Sequence, residues 1–309
     1  MALIFRTETA RYALWRDALN RAMPDLEIRD WDRPGDKADI EFAFVWNPPP
    51  GSLREFPNLR AIFSLGAGVD HLLRDANLPA GVPIVRMVEP ELTRGMAEYV
   101  VLHVLRHHRR QREIEENQRR GIWDPIAVPT APARQVGLMG LGVLGSAAAR
   151  ALAALDFDVA GWSRRPKPLP GIAGFHGAEG LAPFLARSQI LVCLLPLTPD
   201  TAGILDARLF AALPRGASLI NAARGGHQME ADILAALDSG QLSEATLDVF
   251  HDEPLPPGHR FWTHPRVTVT PHNASLTDPD SGARQVVENI RRLRCGEALD
   301  NVVNPESGY

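Results

Sequence analysis

Apolar positions along the chain fall into short runs separated by segments of helical length. Residues 3–5 form the first run, and residues 9–22 follow with the spacing of a helix. Residues 43–46 form a second run, stopped by the Asn-Pro-Pro-Pro-Gly stretch at 47–51. Residues 59–65 form a third, which leads into Gly66 and Gly68, and residues 83–87 a fourth. Short strands alternating with helices or loops predict a small parallel α/β layer. From Met96 onward Val100, Val101, Val104 and Leu105 recur at helical spacing. The charged stretch 106–120 reads as a solvated continuation of that helix, stopped by Gly121.

A second and longer series begins at residues 135–139. Further strand-like runs stand at 158–161, 190–194, 217–221, 245–248 and 267–270, with helical segments between most of them, including 206–213 and 228–237. This is the rhythm of a doubly wound parallel sheet, whose ligand lies beyond the carboxyl ends of its strands. The tail 282–294 places Val286, Val287, Ile290 and Leu293 on one side and reads as a helix returning to the first layer. The expected architecture is α/β in two parts. A dinucleotide-binding domain covers 96–275. A smaller, discontinuous flavodoxin-like domain covers 1–95 and 276–309, with its cleft against the larger one.

The apolar run at 135–139 enters Gly140-x-Gly142-x-x-Gly145, and an Ala-rich helical stretch, 147–155, follows at once. In this context Gly140 permits the tight turn. Gly142 lets the backbone approach a pyrophosphate, and Gly145 lets the helix pack close to its strand. N–H groups at the helix start then face the phosphates. A bare pattern of this kind also occurs in ordinary turns. The strand before it and the helix after it favour a dinucleotide site.

An NAD site carries a carboxylate near the end of the second strand, where the adenosine ribose binds. Here that place holds Gly161, Trp162, Ser163, Arg164 and Arg165, with no acid directly after the strand. Guanidinium groups form paired hydrogen bonds with phosphate. The expected cofactor is therefore NADPH/NADP, with NADH/NAD possible at lower efficiency. Asp158 precedes the strand and is a poor substitute for the missing carboxylate.

Three polar residues sit where later strands end: Arg224, Glu253 and His272. Each alone reads equally well as a surface group or a satisfied loop side chain. Together, downstream of a dinucleotide fingerprint, they match the needs of hydride transfer to a ketone. A histidinium supplies the proton for the developing alkoxide. A neighbouring carboxylate fixes the ring and favours its charged form. An arginine clamps an α-carboxylate and polarises the adjacent carbonyl.

The ordered set of motifs resembles the D-isomer-specific 2-hydroxyacid dehydrogenases, most closely their glyoxylate/hydroxypyruvate reductase A branch, over nearly the whole chain. It comprises the glycine fingerprint, Leu-Leu-Pro-Leu-Thr-Pro at 194–199, Asn-Ala-Ala-Arg-Gly-Gly at 221–226, Asp248-Val-Phe followed by Glu253 and Pro254, and Pro271-His272. The resemblance implies that Arg224 binds the substrate carboxylate, that His272 is the acid/base and that Glu253 is its partner. It further implies cofactor contacts from Gly140, Gly142, Val143, Leu144, Gly145, Ser163, Arg164, Arg165, Leu195, Pro196, Ala222, Arg224, Asp248 and His272. Substrate contacts would come from Trp46, Leu65, Gly66, Ala67 and Gly68 beside Arg224 and His272, with backbone N–H groups of the loop at 65–70 holding the carboxylate. Core packing is the plainer reading of Trp46; a wall that restricts the substrate to a short carbon chain is the functional one. The long helix after Met96 and the loop near Trp123 correspond to a homodimer-forming region. Two departures stand out: Asn273 follows the histidine where many relatives carry a small residue, and His227 follows Gly226.

The resulting expectation is NADPH-dependent reduction of small 2-oxo acids, glyoxylate to glycolate and hydroxypyruvate to D-glycerate, with no metal. The alternatives are a dehydrogenase for another D-2-hydroxy acid, such as lactate or a larger aliphatic or aromatic acid, and a nucleotide-sensing scaffold or corepressor. The complete polar set argues against the last.

Composition narrows the setting. A chain of 309 residues suggests about two domains. A net charge of -4 argues against a nucleic-acid partner. Only Cys193 and Cys295 occur, so a disulfide framework is not expected and a reducing compartment is; the family resemblance implies that this compartment is the cytoplasm. The apolar run at the start is too short for a signal peptide, and no stretch approaches the ~20 apolar residues of a membrane span. The basic run at 106–112 is followed by Glu113, Glu115 and Glu116, which favours a charge-laced helix or dimer surface over a polyanion site.

Overall fold

The computed structural model describes residues 1–7 and 11–304. It divides into two compact units, Met1–Leu92 with Leu276–Tyr309, and Thr93–Ser275.

The first unit is built on strands β1 (Ala2–Arg6), β2 (Glu27–Asp30), β3 (Ile40–Val45), β4 (Ala61–Ser64) and β5 (Ile84–Val85). All pair in parallel, in the order β2-β1-β3-β4-β5, the flavodoxin-like arrangement. Strands β1, β3 and β4 are buried almost throughout, because helices and loops cover both faces. Edge strand β2 has the sequence Glu-Ile-Arg-Asp and no fully buried residue, so no hydrophobic run announces it. Helix α1 (Tyr12–Ala22) is shorter than expected at its start; Thr9 and Ala10 lie outside the described residues. It buries Trp15, whose ring meets Phe44 edge-on with centroids 5.0 Å apart. Short helix α2 (Asp70–Leu73) follows the loop after β4.

Helix α3 (Pro90–His108) contains the division between the units, and α4 (Gln111–Arg119) follows it. A single continuous helix was expected here; the chain instead breaks at Arg110, which adopts a left-handed φ of 53°. The apolar seam ends near Leu105, and α4 buries no residue, so packing does not hold the two segments in one line. Ion pairs close the corner instead, Arg106 with Glu115 at 3.2 Å and Arg110 with Glu113 at 2.5 Å. Gly121, at φ 64°, ends α4 as expected.

The second unit holds β6 (Gln135–Met139), α5 (Val143–Ala153), β7 (Asp158–Ser163), β8 (Ala173–His176), α6 (Gly177–Arg187), β9 (Ile190–Cys193), α7 (Ala207–Ala211), β10 (Ala217–Asn221), α8 (Glu230–Asp238), β11 (Leu242–Leu247), α9 (Arg260–Thr263) and β12 (Val267–Val269). Its seven strands are all parallel, in the order β12-β11-β10-β9-β6-β7-β8. This is the doubly wound order, and the winding reverses between β6 and β9. Met96, Val100 and Val104 of α3 join Ala148, Ala149 and Leu152 of α5 on one face of the sheet. Phe184, Phe210, Ile233 and Phe261, from α6 to α9, cover the other. Edge strand β8 was not foreseen; its residues alternate between partly buried and exposed.

The chain then forms α10 (Pro279–Arg294), capped by the Asp278 carboxylate on the Ser281 N–H at 2.9 Å. It packs on α1 within the first unit. A Cβ at Gly282 would stand 2.6 Å from the Trp15 ring, so the close approach of the two helices requires glycine there. Among the described residues no helix is long and apolar enough to cross a membrane.

Candidate active site

Strand register sets the edge of the second sheet. Trp162, Met139, Cys193, Asn221, Leu247 and Val269 stand side by side in one row across six strands. Each strand ends at this row or one residue beyond it, and the loops that follow carry nearly all of the polar side chains read from the sequence as functional. Backbone bonds tie the loop starts together: Leu194 N–H to Met139 O at 2.8 Å, Asp248 N–H to Asn221 O at 3.0 Å and Thr270 N–H to Leu247 O at 3.0 Å.

The glycine fingerprint lies at the reversal of winding. Gly140 has φ 98°, and a Cβ there would meet the Leu194 carbonyl oxygen at 2.6 Å. At Gly145 a Cβ would fall 1.9 Å from the Gly140 oxygen, so only hydrogen fits between strand and helix. A Cβ at Gly142, in contrast, meets nothing within 4 Å. That opening sits at the start of α5, where no side chain caps the helix. Open space, uncapped N–H groups and the positive helix end together fit a pyrophosphate. Val143 is exposed at this opening, and Leu144 is partly buried behind it.

At the end of β7 the Ser163 hydroxyl donates to the Arg165 carbonyl at 2.7 Å and closes a turn that presents Arg164 and Arg165 to solvent. Asp158, at the far end of the strand, is engaged by Arg187 at 2.5 Å. The strand end therefore offers positive charge where an NAD site places an acid.

Beyond β9 and β10, Leu195 and Ala222 are buried, and the Pro196 carbonyl accepts the Thr201 hydroxyl at 2.7 Å. Buried Asn221 shapes the next turn: its Nδ2 donates to the Arg224 carbonyl and to Gln228 Oε1, each at 3.1 Å. A Cβ at Gly225 would overlap the Phe250 carbonyl at 2.0 Å, so this turn lies flat on the neighbouring loop. Arg224 is partly buried and donates Nη1 to the Ala223 carbonyl at 2.7 Å.

His272 Nδ1 stands 2.6 Å from Glu253 Oε2, and both side chains are about one third exposed, at 34%. Glu253 Oε1 accepts the Phe250 N–H at 2.9 Å. Burial pushes the Glu253 carboxyl upward, but His272, the Phe250 N–H and the Arg224 charge outweigh it, leaving the group below its ordinary pKa. Arg224 and His272 thus both act electrostatically on Glu253.

Asp248 plays a part that its place in the sequence did not disclose. Its buried carboxylate accepts the Thr270 hydroxyl at 2.6 Å, the Asn273 N–H at 3.0 Å and the Ala274 N–H at 2.9 Å. Burial raises its pKa, and these donors offset part of that rise. Tyr99 extends the chain of bonds, with its hydroxyl 2.7 Å from Thr270 Oγ1. No local pattern points to Thr270 or Tyr99; their partners are distant in sequence.

The substrate-loop candidates lie in the first unit. The Leu65 carbonyl accepts the Thr277 hydroxyl at 2.6 Å, and the Gly66 carbonyl accepts the Met87 N–H at 3.2 Å. Ser64 Oγ accepts the Gly66 N–H at 3.3 Å and faces the Gly68 carbonyl at 3.4 Å. These bonds hold Leu65, Gly66, Ala67 and Gly68 in a partly exposed turn. Trp46 follows β3 and packs on His71 with centroids 4.3 Å apart. A Cβ at Gly66 would lie 2.8 Å from the indole Cζ3.

A family model described as D-isomer specific 2-hydroxyacid dehydrogenase, NAD binding domain, matches residues 101–274. A glyoxylate/hydroxypyruvate reductase A of Serratia proteamaculans is 44% identical over 300 residues, covering 96% of each chain. A D-isomer specific 2-hydroxyacid dehydrogenase from Xanthobacter autotrophicus Py2, solved with NADPH and MES, superposes with a TM-score of 0.96 at 47% identity, covering 100% of this chain and 99% of that one. An NADPH-dependent glyoxylate/hydroxypyruvate reductase from Sinorhizobium meliloti, solved with NADP and sulfate, gives 0.94 at 42% identity with the same coverage.

Proposed function

The chain belongs to the D-isomer specific 2-hydroxyacid dehydrogenase family, and on that premise we propose that it reduces small 2-oxo acids with NADPH, glyoxylate to glycolate and hydroxypyruvate to D-glycerate. The observation that carries the reading is the 2.6 Å pair of His272 and Glu253, set with Arg224 on the sheet edge that bears the glycine fingerprint. The reductase names of the relatives and their structures with NADPH and with NADP support the choice of substrate and cofactor.

The bound nicotinamide supplies the hydride that C2 of the ketone receives. Arg224 pairs with the substrate carboxylate and stabilises negative charge as it develops on the ketone oxygen. His272, held through Nδ1 by Glu253, delivers a proton from Nε2 to that oxygen. Glu253 remains ionised and steadies the imidazolium before the transfer. Hydride and proton together yield the alcohol. Gly140, Gly142, Val143, Leu144 and Gly145 hold the pyrophosphate, and Ser163, Arg164 and Arg165 the additional phosphate of NADPH. Leu195, Pro196, Ala222 and Asp248 complete the cofactor side. Leu65, Gly66, Ala67 and Gly68 bind the oxo acid, and Trp46 limits its size.

A homodimer in the cytoplasm is part of the proposal. Leu102, Ile114, Ile122 and Trp123 are exposed apolar side chains along one segment, and Trp123 is 97% exposed, as expected of a surface covered by a second copy. Light scattering that returns a single chain mass would remove the dimer. Cofactor oxidation measured with glyoxylate, hydroxypyruvate, pyruvate and phenylpyruvate, each with NADPH and NADH, tests the function. Highest specificity constants for the first two with NADPH are expected. A preference for phenylpyruvate or for NADH would refute it, and no turnover at all would favour a nucleotide-sensing scaffold.

A further inference from the structure

His227 is fully buried in the second unit and closes the single helical turn Gly225–His227. Its Nδ1 lies 3.2 Å from the Arg224 carbonyl oxygen, and its Nε2 lies 3.3 Å from the Pro196 carbonyl oxygen. The imidazole therefore spans the loop after β9 and the loop after β10. The backbone around it is fixed by other bonds: Gly203 N–H to Gly226 O and Leu205 N–H to His227 O, both at 2.9 Å. A Cβ at Gly226 would stand 2.9 Å from the Leu197 side chain, so the two loops are also in close contact beside the ring. A neutral imidazole carries one N–H and donates to one of the two carbonyls, according to its tautomer. A single side-chain amide does not reach both.

We infer that His227 is a positioning residue that ties the cofactor loop at Leu195 and Pro196 to the substrate-binding loop at Arg224, so that the two subsites are set together. The inference rests on the proposed NADPH-dependent reduction. Arg224 leaves its turn with its own carbonyl held by His227 and Asn221, so displacement of that carbonyl re-aims the guanidinium. The Pro196 carbonyl accepts Thr201 on one side and lies against the His227 ring on the other. Loss of the ring leaves the loops joined through the Gly203–Gly226 and Leu205–His227 backbone bonds, but removes the contact through the ring between Pro196 and the Arg224 carbonyl.

Two conservative variants separate the two contacts. His227→Asn places an amide nitrogen near the Nδ1 position and retains the Arg224 contact alone. His227→Gln reaches the Nε2 position and retains the Pro196 contact alone. We expect His227→Asn to weaken NADPH binding about tenfold in a fluorescence titration, because the Pro196 loop loses its contact with the ring, with the KM for glyoxylate close to that of the parent. His227→Gln should do the reverse. Folded variants that change both constants equally, or neither, overturn the inference. Should the closed site reject an amide, the parent enzyme supplies the test through its imidazole nitrogen resonances. A buried ring should respond when NADPH binds and again when oxalate is added to the complex. No response from any buried imidazole also overturns it. A parent that neither binds NADPH nor reduces glyoxylate would defeat the functional reading itself, a result distinct from a working parent with unsplit variants.

Discussion

Asp248 holds His272 by its backbone: the His272 N–H donates to the Asp248 carbonyl at 2.8 Å, while the Asp248 carboxylate gathers Thr270, Asn273 and Ala274 around it. His272 adopts a left-handed φ of 50°, a conformation that costs a non-glycine residue about 1–2 kcal/mol. The three donors gathered on the Asp248 carboxylate offset that strain. Asp248→Asn turns an N–H group toward N–H donors and should destabilise the fold by about 1–3 kcal/mol. Turnover should fall as well, because the His272 loop relaxes. Thermal unfolding and kcat measured on the same preparation test this; an unchanged melting temperature with unchanged turnover would count against it.

In the proposed function Arg164 and Arg165 read the additional phosphate of NADPH. With both changed to Ala, the KM for NADPH should rise by about tenfold to a hundredfold, the scale of two lost charge-assisted hydrogen bonds. The KM for NADH should move little. Parallel weakening of both cofactors would mean that the arginines do not read the additional phosphate.

Gly66 and Trp46 form a size-matched pair. Gly66→Ala drives a methyl group to 2.8 Å from the indole and should displace it, lowering both stability and glyoxylate turnover. In a Trp46→Ala background the same change should be nearly neutral, since the clash is gone. Trp46→Ala alone should raise the relative specificity constant for phenylpyruvate. Additive effects in the double variant would contradict the pairing, and a change in stability alone would make Trp46 a packing residue.

Acid should weaken the second unit through His103 and His107 of α3. His103 and His107 are buried, which pulls their pKa values from 6.5 down to about 4 and about 3. In the unfolded chain they accept protons near 6.5, so between that pH and their folded values the unfolded state binds more protons. Unfolding then becomes progressively easier as pH falls, by at most about 1.4 kcal/mol per pH unit for each ring. Replacing His107 with Gln, which can still meet Thr246, should flatten the decline in melting temperature between pH 6.5 and pH 4. An unaltered slope would place the acid sensitivity elsewhere.

Much of the fold is legible because buried parallel strands are apolar on both faces. Gln135–Met139 and Ala217–Asn221 have the limits that the hydrophobic runs indicate. Edge strands Glu27–Asp30 and Ala173–His176 lack that signal, since one side of each faces solvent. The corner at Arg110 was equally hidden, because it depends on ion pairs and on the end of an apolar seam. At the candidate site, glycine spacing discloses the turn, and polar residues at strand ends disclose Arg224, Glu253 and His272. Asp248 beside its apolar run gives no hint of partners on another loop, and its three carboxylate bonds reach residues 22, 25 and 26 positions away.

The central claim is that His272 delivers the proton that accompanies hydride transfer. Its most direct test is single-turnover oxidation of bound NADPH by glyoxylate in the His272→Ala enzyme, with cofactor binding measured in the same samples. Hydride transfer should slow by ~10²–10⁴-fold, the scale of general acid–base catalysis, with NADPH affinity close to that of the parent. A folded His272→Ala enzyme that transfers hydride at nearly the parent rate would contradict it.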